Sequence, residues 1–255
     1  MSNQLMAGKR GLIMGLANDK SIAWGIAKAC ADAGAELAFS YQGEALKKRV
    51  DPLAGQLGSD IVLPCDVGDE ASIDGLFGAL KDRWDSLDFI VHAIGFSDKS
   101  ELRGRYVDTS KDNFAMTMDI SVYSFTSVMQ RAEKMMTKGG SAVTLTYYGA
   151  EKVMPHYNVM GVAKAALEAS VRYLAEDLGK KNIRVNAVNP TVTMTPMGKM
   201  AWGDPAKSGP MLANIPLGRF AEPIDVSHAV AYLLSEQADM IHGVTLPVDG
   251  GFLSV

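Results

Sequence analysis

One rhythm constrains this chain more than any other feature: a short apolar run, a turn and a helix-forming segment recur at about 25–30-residue spacing. The first run, residues 11–15, ends on Gly15, and the segment from Ser21 carries apolar Ile22, Ile26 and Cys30 at helical spacing. Residues 35–41, 60–64 and 87–94 read as further strands, with helical segments at 43–57 and 69–84 between them. Such alternation means βαβ units, hence a parallel sheet with right-handed crossovers. Beyond an irregular stretch, a long helix is expected over 111–136, stopped by Gly139-Gly140. A strand at 141–147, a helix at 158–178, a strand at 182–188, a helix at 223–235 and a strand at 244–248 complete the series. The expectation is one doubly wound α/β domain over residues 1–255, with about seven parallel strands. Residues 189–218 are rich in proline, glycine and methionine with little periodicity, which in a compact domain suggests a substrate-binding loop or lid.

Composition removes several alternatives. With 255 residues, 47% hydrophobic and 21% charged, the chain can bury an ordinary globular core, and no composition break marks a linker. Residues 1–9 put only a short polar lead before an apolar run of about six residues, against roughly 18 needed to span a bilayer. No signal peptide or membrane anchor is expected, so no membrane partner and a cytoplasmic location are. A net charge of −4 argues against a nucleic-acid partner. Cys30 and Cys65 stand in apolar surroundings at no metal-ligand spacing, which predicts two buried reduced thiols and no metal site.

The loop after the first strand spaces Gly15, Ser21 and Gly25 as G-x5-S-x3-G. Gly15 permits a sharp turn, Ser21 can cap the helix that Ile22 begins, and Gly25 permits close helix-to-strand packing. That leaves backbone N–H groups and a positive helix end facing a pyrophosphate, as in a Rossmann dinucleotide site. The middle glycine of G-x-G-x-x-G is missing, so the turn alone also fits a purely structural role. Three more loops raise the odds. Gln42 follows the second strand where a ribose-reading residue would sit, Asp66-Val67 follows the third beside an adenine position, and Ala93-Ile94-Gly95 ends the fourth. All would lie at the carboxyl edge of the sheet, where doubly wound folds bind ligands. A neutral amide at position 42, where a 2′-phosphate would want arginine, favours NADH over NADPH. Lys47, Lys48 and Arg49 keep NADPH open.

Tyr157 and Lys164 are seven residues apart, about 700° of helical rotation, so they project from nearly one face two turns apart. A phenol with an ordinary pKa near 10 becomes a useful acid if a neighbouring ammonium lowers that value, so the pair suggests acid/base chemistry.

These residues resemble a known family. Residues 15–25, 35–42, 58–67, 91–96 and 157–164 together are similar to the bacterial enoyl-acyl-carrier-protein reductases of the short-chain dehydrogenase/reductase superfamily, the likeness covering about residues 6–188. The superfamily's commoner carbonyl reducers use Y-x3-K and an earlier serine; here position 161 is Gly161 and the serine position holds Thr144. The resemblance implies an NADH-dependent oxidoreductase of fatty-acid biosynthesis, acting on a trans-2-enoyl thioester of acyl carrier protein or coenzyme A. It implies that Tyr157 binds and helps protonate the enolate oxygen, that Lys164 holds the nicotinamide ribose, that Tyr147 lines the pocket, and that the enzyme is a homotetramer. Ser121 is expected to be structural.

Beyond about Val188 the pattern changes. Residues 189–198, 215–222 and 246–252 resemble the dicarbonyl/L-xylulose reductases of the same superfamily, so the chain reads as a composite with a seam in the strand 183–188. By resemblance the backbone at Thr193 meets the nicotinamide carboxamide and Thr195 reaches it or a phosphate. Met194, Met197, Met200 and Met211 would either cover an acyl chain or pack the lid. Two other functions stay open: a reductase of small dicarbonyls or ketoses, and a cofactor-binding oligomer with little catalysis. Lys99, Arg103, Arg105, Lys199 and Lys207 are candidates for meeting an acidic carrier protein, or are scattered surface charges.

Overall fold

The computed structural model describes residues 4–255. Its strands are β1 (Arg10–Met14), β2 (Glu36–Tyr41), β3 (Val62–Pro64), β4 (Phe89–His92), β5 (Gly140–Leu145), β6 (Ile183–Pro190) and β7 (Thr245–Val248). All pair in parallel in the order β3-β2-β1-β4-β5-β6-β7, so the expected seven-stranded doubly wound sheet is present. Its helices are α1 (Ile22–Asp32), α2 (Gly43–Gln56), α3 (Glu70–Lys81), α4 (Lys111–Met118), α5 (Ser124–Ala132), α6 (Val159–Gly179), α7 (Pro196–Trp202), α8 (Pro205–Leu212) and α9 (Pro223–Leu234).

Alternation along each strand sends neighbours to opposite faces. Leu12, Ile90 and Ala142 pack with Leu76 of α3, Phe125 of α5 and Leu167 of α6. Ile13, Phe39, Val91 and Val143 pack with Ile26 of α1, Leu53 of α2 and Val230 of α9. Because both faces are covered, the central strands β1 and β4 are apolar on both sides, with Leu12, Ile13 and Met14 in succession and Phe89, Ile90 and Val91 likewise. Each of the larger side chains, such as Leu12, Ile90 and Phe39, contributes about 1.5–3 kcal/mol when fully buried. Cys30 and Cys65 are buried unpaired thiols in the two opposite cores, as expected.

β1 lies at the centre, with β2 on one side and β4 on the other. The chain order reverses there, and the loops after β1 and β4 part to open a crevice. Their backbones still approach closely: a Cβ on Gly15, whose φ is +91°, would fall 2.1 Å from the Ala93 carbonyl oxygen. Only glycine satisfies both demands.

The structure departs from expectation in three places. The helix expected over 111–136 is divided by a π-turn at Asp119–Tyr123. There the Ser121 hydroxyl accepts from the Phe96 N–H and donates to the Phe96 carbonyl, both at 3.0 Å, so the extra residue per turn fastens the segment to the loop after β4. Residues 189–218 are not irregular throughout. Thr195 accepts from the Gly198 N–H ahead of Pro196, and Asp204 from the Ala206 N–H ahead of Pro205. A cap followed by proline starts α7 and α8. Those helices rest on a separate small core of Val192, Met211, Ile215 and Phe220. Finally, Gly25 serves a helix–helix contact and not the expected helix–strand one. A Cβ there would lie 2.5 Å from Ser227 Oγ and 3.2 Å from the Pro223 carbonyl oxygen, both at the start of α9.

Gly25→Ala should therefore overpack the α1–α9 seam and cost about 1–3 kcal/mol in urea-induced unfolding. Adding Ser227→Ala should recover part of that loss, and a full-cost double variant would refute the assigned contact.

Candidate active site

At the crevice, a cavity of about 300 Å³ runs along the carboxyl ends of β1, β2, β3 and β4. Gly15, Gln42, Asp66, Val67, Ala93, Ile94 and Gly95 all line it, so the four loops singled out in the sequence converge on one space. Gln42 stands at the N-terminal boundary of α2 without using its side chain as a cap, and that side chain is exposed. The Asp66 carboxylate accepts from the Gly68 N–H at 3.0 Å and stiffens the third loop.

Besides Lys164, four expected cofactor residues lie outside this cavity's lining. Ser21 Oγ caps α1 by accepting from the Trp24 N–H at 3.2 Å and donates to the Asn18 carbonyl at 2.7 Å. Ile22 leans on the core beneath it. Thr193 pairs its backbone with Ala221 and donates its hydroxyl to the Thr191 carbonyl, while Thr195 caps α7. Conversely, Leu16, Ala17, Leu46, Cys65 and Ile120 line the cavity without a sequence signal of their own. Leu16 and Ala17 simply follow Gly15, and Ile120 is aimed there by the π-turn, which propensity does not reveal.

Lys164 adjoins the far end of this cavity. A Cβ on Gly95 would stand 3.5 Å from both Lys164 Nζ and Met160 Cε. Lys164 is only 6% exposed and donates to the Leu145 carbonyl at 2.8 Å. Burial pushes its ammonium down to about 8, with the Glu168 carboxylate one turn on opposing the fall. Glu168 itself accepts from the Thr146 hydroxyl at 2.6 Å. Beneath Lys164, His92 is fully buried between Thr144 and Ser124, each hydroxyl 3.0 Å from a ring nitrogen. Burial, then the Lys164 charge, hold His92 down to about 3, so it is neutral.

Tyr157 occupies a slot made by two glycines. A Cβ on Gly149 would lie 2.4 Å from Tyr157 Cδ1, and one on Gly161 would lie 2.7 Å from the Gly149 carbonyl oxygen. The slot explains the spacing: a lysine at 161, the commoner position, would drive its Cβ into that carbonyl. Tyr147 meets the other side of the ring edge-on at 4.9 Å between centroids. The lowered phenol pKa expected for Tyr157 is not found. Burial, and secondarily Tyr147, raise it instead, while Lys164 points its ammonium at Leu145. Burial likewise pushes Tyr147 up to about 12. Both phenols are therefore protonated throughout the neutral range, and each is a hydrogen-bond donor.

Of the four methionines near the site, Met211 is buried in the small core beneath α7 and α8 and Met194 packs against it. Met197 and Met200 are 65% and 85% exposed.

Comparison with known proteins places this geometry among relatives. The family described as "Enoyl-(Acyl carrier protein) reductase" matches residues 15–253. An enoyl-[acyl-carrier-protein] reductase [NADH] of Rhizobium meliloti is 57% identical over 98% of this chain and 92% of its own length. The enoyl-acyl-carrier-protein reductase of Anaplasma phagocytophilum, crystallised with NAD, superposes with a TM-score of 0.91 at 54% identity, covering 98% of this chain and 94% of that one. FabI of Candidatus Liberibacter asiaticus gives 0.93 at 47% identity, covering 98% and 97%. These matches run unbroken across Val188, so a composite origin finds no support in them.

The buried neutral His92 makes a stability prediction. Its folded pKa lies below the ordinary value near 6.5, so the unfolded chain takes up the proton first and stability falls as pH drops. Urea unfolding should lose about 1.4 kcal/mol per pH unit between roughly 6 and 4.5 from this group. His92→Gln, which does not titrate, should flatten that limb.

Proposed function

Because the chain belongs to the enoyl-(acyl carrier protein) reductase family, we infer that it reduces the 2,3 double bond of a trans-2-enoyl thioester with NADH, as an oxidoreductase of fatty-acid biosynthesis. The observation that carries the reading at the level of residues is the Gly149–Tyr157–Gly161 slot beside buried Lys164, at the end of the dinucleotide cavity.

The cavity suits NADH: glycine at 15 leaves the backbone bare where a Cβ would collide, and no arginine takes the place of Gln42 beside the ribose position. Gly15, Gln42, Asp66, Val67, Ala93, Ile94 and Gly95 would hold the cofactor, with Ser21, Ile22, Thr193 and Thr195 flanking it and Lys164 at the nicotinamide ribose. When bound it supplies the hydride to the β-carbon.

Charge then develops on the thioester oxygen as an enolate. Tyr157, kept protonated by burial, donates a hydrogen bond to that oxygen and stabilises it where the charge appears. Its high pKa suits donation better than outright proton loss, so the tyrosine acts chiefly as an electrophile. Lys164 brings a positive charge in a desolvated setting, where it acts more strongly than in water. Tyr147 braces the Tyr157 ring and lines the pocket. Residues 189–218, with α7 and α8, form the substrate lid.

The partner is an enoyl thioester carried by acyl carrier protein or coenzyme A. Lys99, Arg103, Arg105 and Lys199 are exposed and suit an acidic carrier; the side chain of Lys207 lies outside the described ones. Arg105 is already near Asp108, 3.9 Å away. Among the described residues no helix is long and apolar enough to cross a membrane, which accords with the proposed cytoplasmic location. A homotetramer would cover Phe114, Tyr123 and Tyr173, exposed along α4, the π-turn and α6.

Nicotinamide absorbance with crotonyl thioesters tests the activity. Failure to oxidise NADH above background would sink it, and turnover of diacetyl or L-xylulose in its place would favour carbonyl reduction. Tyr157→Phe should lower kcat at least about tenfold without weakening NADH binding. Lys164→Ala should weaken NADH binding as well, so the two variants separate the roles. Charge reversal at Lys99 and Arg103 together should raise KM for the carrier-bound substrate more than for the coenzyme A thioester. Equal changes would refute the docking patch.

A further inference from the structure

Asn158 follows Tyr157 and stands at the N-cap position of α6, where an asparagine ordinarily turns its side chain back onto the helix. Here it does not. Its backbone takes φ +40° and ψ −121°, outside the regions that side-chain-bearing residues favour, and its side chain makes no cap bond. Such a conformation is disfavoured and the cap bond is forgone, so something else must hold the residue there.

The side chain shows what does. Asn158 Nδ2 donates toward the carbonyls of Glu101, Leu102 and Gly104 at 3.3, 3.2 and 3.4 Å. Two N–H groups thus serve three backbone acceptors on one loop. The same loop is fastened at its other end. The Glu101 carboxylate accepts from the N–H and hydroxyl of Ser110, each at 2.8 Å, and from Asn113 Nδ2 at 3.3 Å. Asn113 Oδ1 in turn accepts from the Asp98 N–H and the Ser97 hydroxyl. One polar network therefore runs from the loop after β4, through residues 101–104, to the residue beside the reactive phenol. The Asn158 carbonyl, accepting from the Gly161 N–H at 2.9 Å, continues it into the glycine that shapes the Tyr157 slot.

We propose that Asn158 is a positioning residue: its amide ties residues 101–104 to the turn that carries Tyr157, so that the seating of this loop and the alignment of the phenol are set together. The catalytic half of this statement rests on the enoyl-reductase reading. The loop also bears Lys99, Arg103 and Arg105, so whatever moves it is felt at Tyr157 through Asn158.

Two full-length variants test the tether. Asn158→Asp keeps the shape and removes both donors, while Asn158→Gly removes the amide but accepts the backbone conformation, so that folding is preserved. Both should lower kcat for an enoyl thioester roughly 10- to 100-fold while leaving the NADH dissociation constant within about twofold. In both, trypsin should cut after Arg103 or Arg105 about tenfold faster than in the parent, because the loop opens more often. A kcat within about twofold of the parent in both variants would overturn the positioning role. Unchanged cleavage would overturn the tether itself. A parent protein that fails to oxidise NADH would overturn the reductase reading and the catalytic half of this inference, and the proteolysis would still decide the tether.

Discussion

Burial of the parallel sheet on both faces is the constraint from which the rest of the molecule follows. Seven strands with apolar residues on each side must be covered above and below, and α1, α2 and α9 cover one face while α3, α5 and α6 cover the other. The right-handed crossovers that achieve this gather the strand-to-helix loops, which line the cavity, at the carboxyl edge of the sheet. Chemistry is thereby confined to that edge. The reversal of strand order beside β1 fixes where along it the cavity opens, and the near contact of Gly15 with Ala93 fixes its floor.

At the end of that cavity the fold accepts costs that a purely structural core would avoid. A lysine is buried where its charge is disfavoured, with one backbone carbonyl and a half-buried glutamate to hold it. A histidine is kept neutral beneath it. The turn before α6 contains two residues, His156 and Asn158, at positive φ. Strain and desolvation gathered beside one phenol are what a preorganised site requires, because dipoles set in place beforehand need not reorganise when charge develops. The large two-sided core supplies the stability against which these local costs are set.

Much of this was legible in the sequence, and the exceptions share a cause. The βα rhythm predicted every strand of the sheet to within about two residues at most ends, because covered parallel strands carry a one-dimensional apolar signal. The four glycine- and polar-ended loops identified nearly half of the cavity lining, with at least one residue at each strand end. What escaped depends on contacts between segments distant in the chain. The π-turn at Asp119–Tyr123 arises from Ser121 gripping Phe96. Gly25 is demanded by Ser227, some two hundred residues away. The helices α7 and α8 did leave local traces, a capping residue before proline in each case, which the high glycine and methionine content obscured.

The sequence by itself determined the order and type of the elements, the carboxyl edge as the ligand edge, and the placement of Tyr157 and Lys164 on one helical face, since each depends on periodicity along a single stretch of chain. Only the tertiary structure decided how that pair behaves. Spacing suggested an ammonium acidifying a phenol; packing turned Lys164 toward the Leu145 carbonyl and enclosed Tyr157 between Gly149, Gly161 and Tyr147, so burial raises the phenol's pKa. Proximity in sequence sets which groups can meet. The sign of their electrostatic effect is set by what surrounds them, because desolvation depends on every neighbour in space.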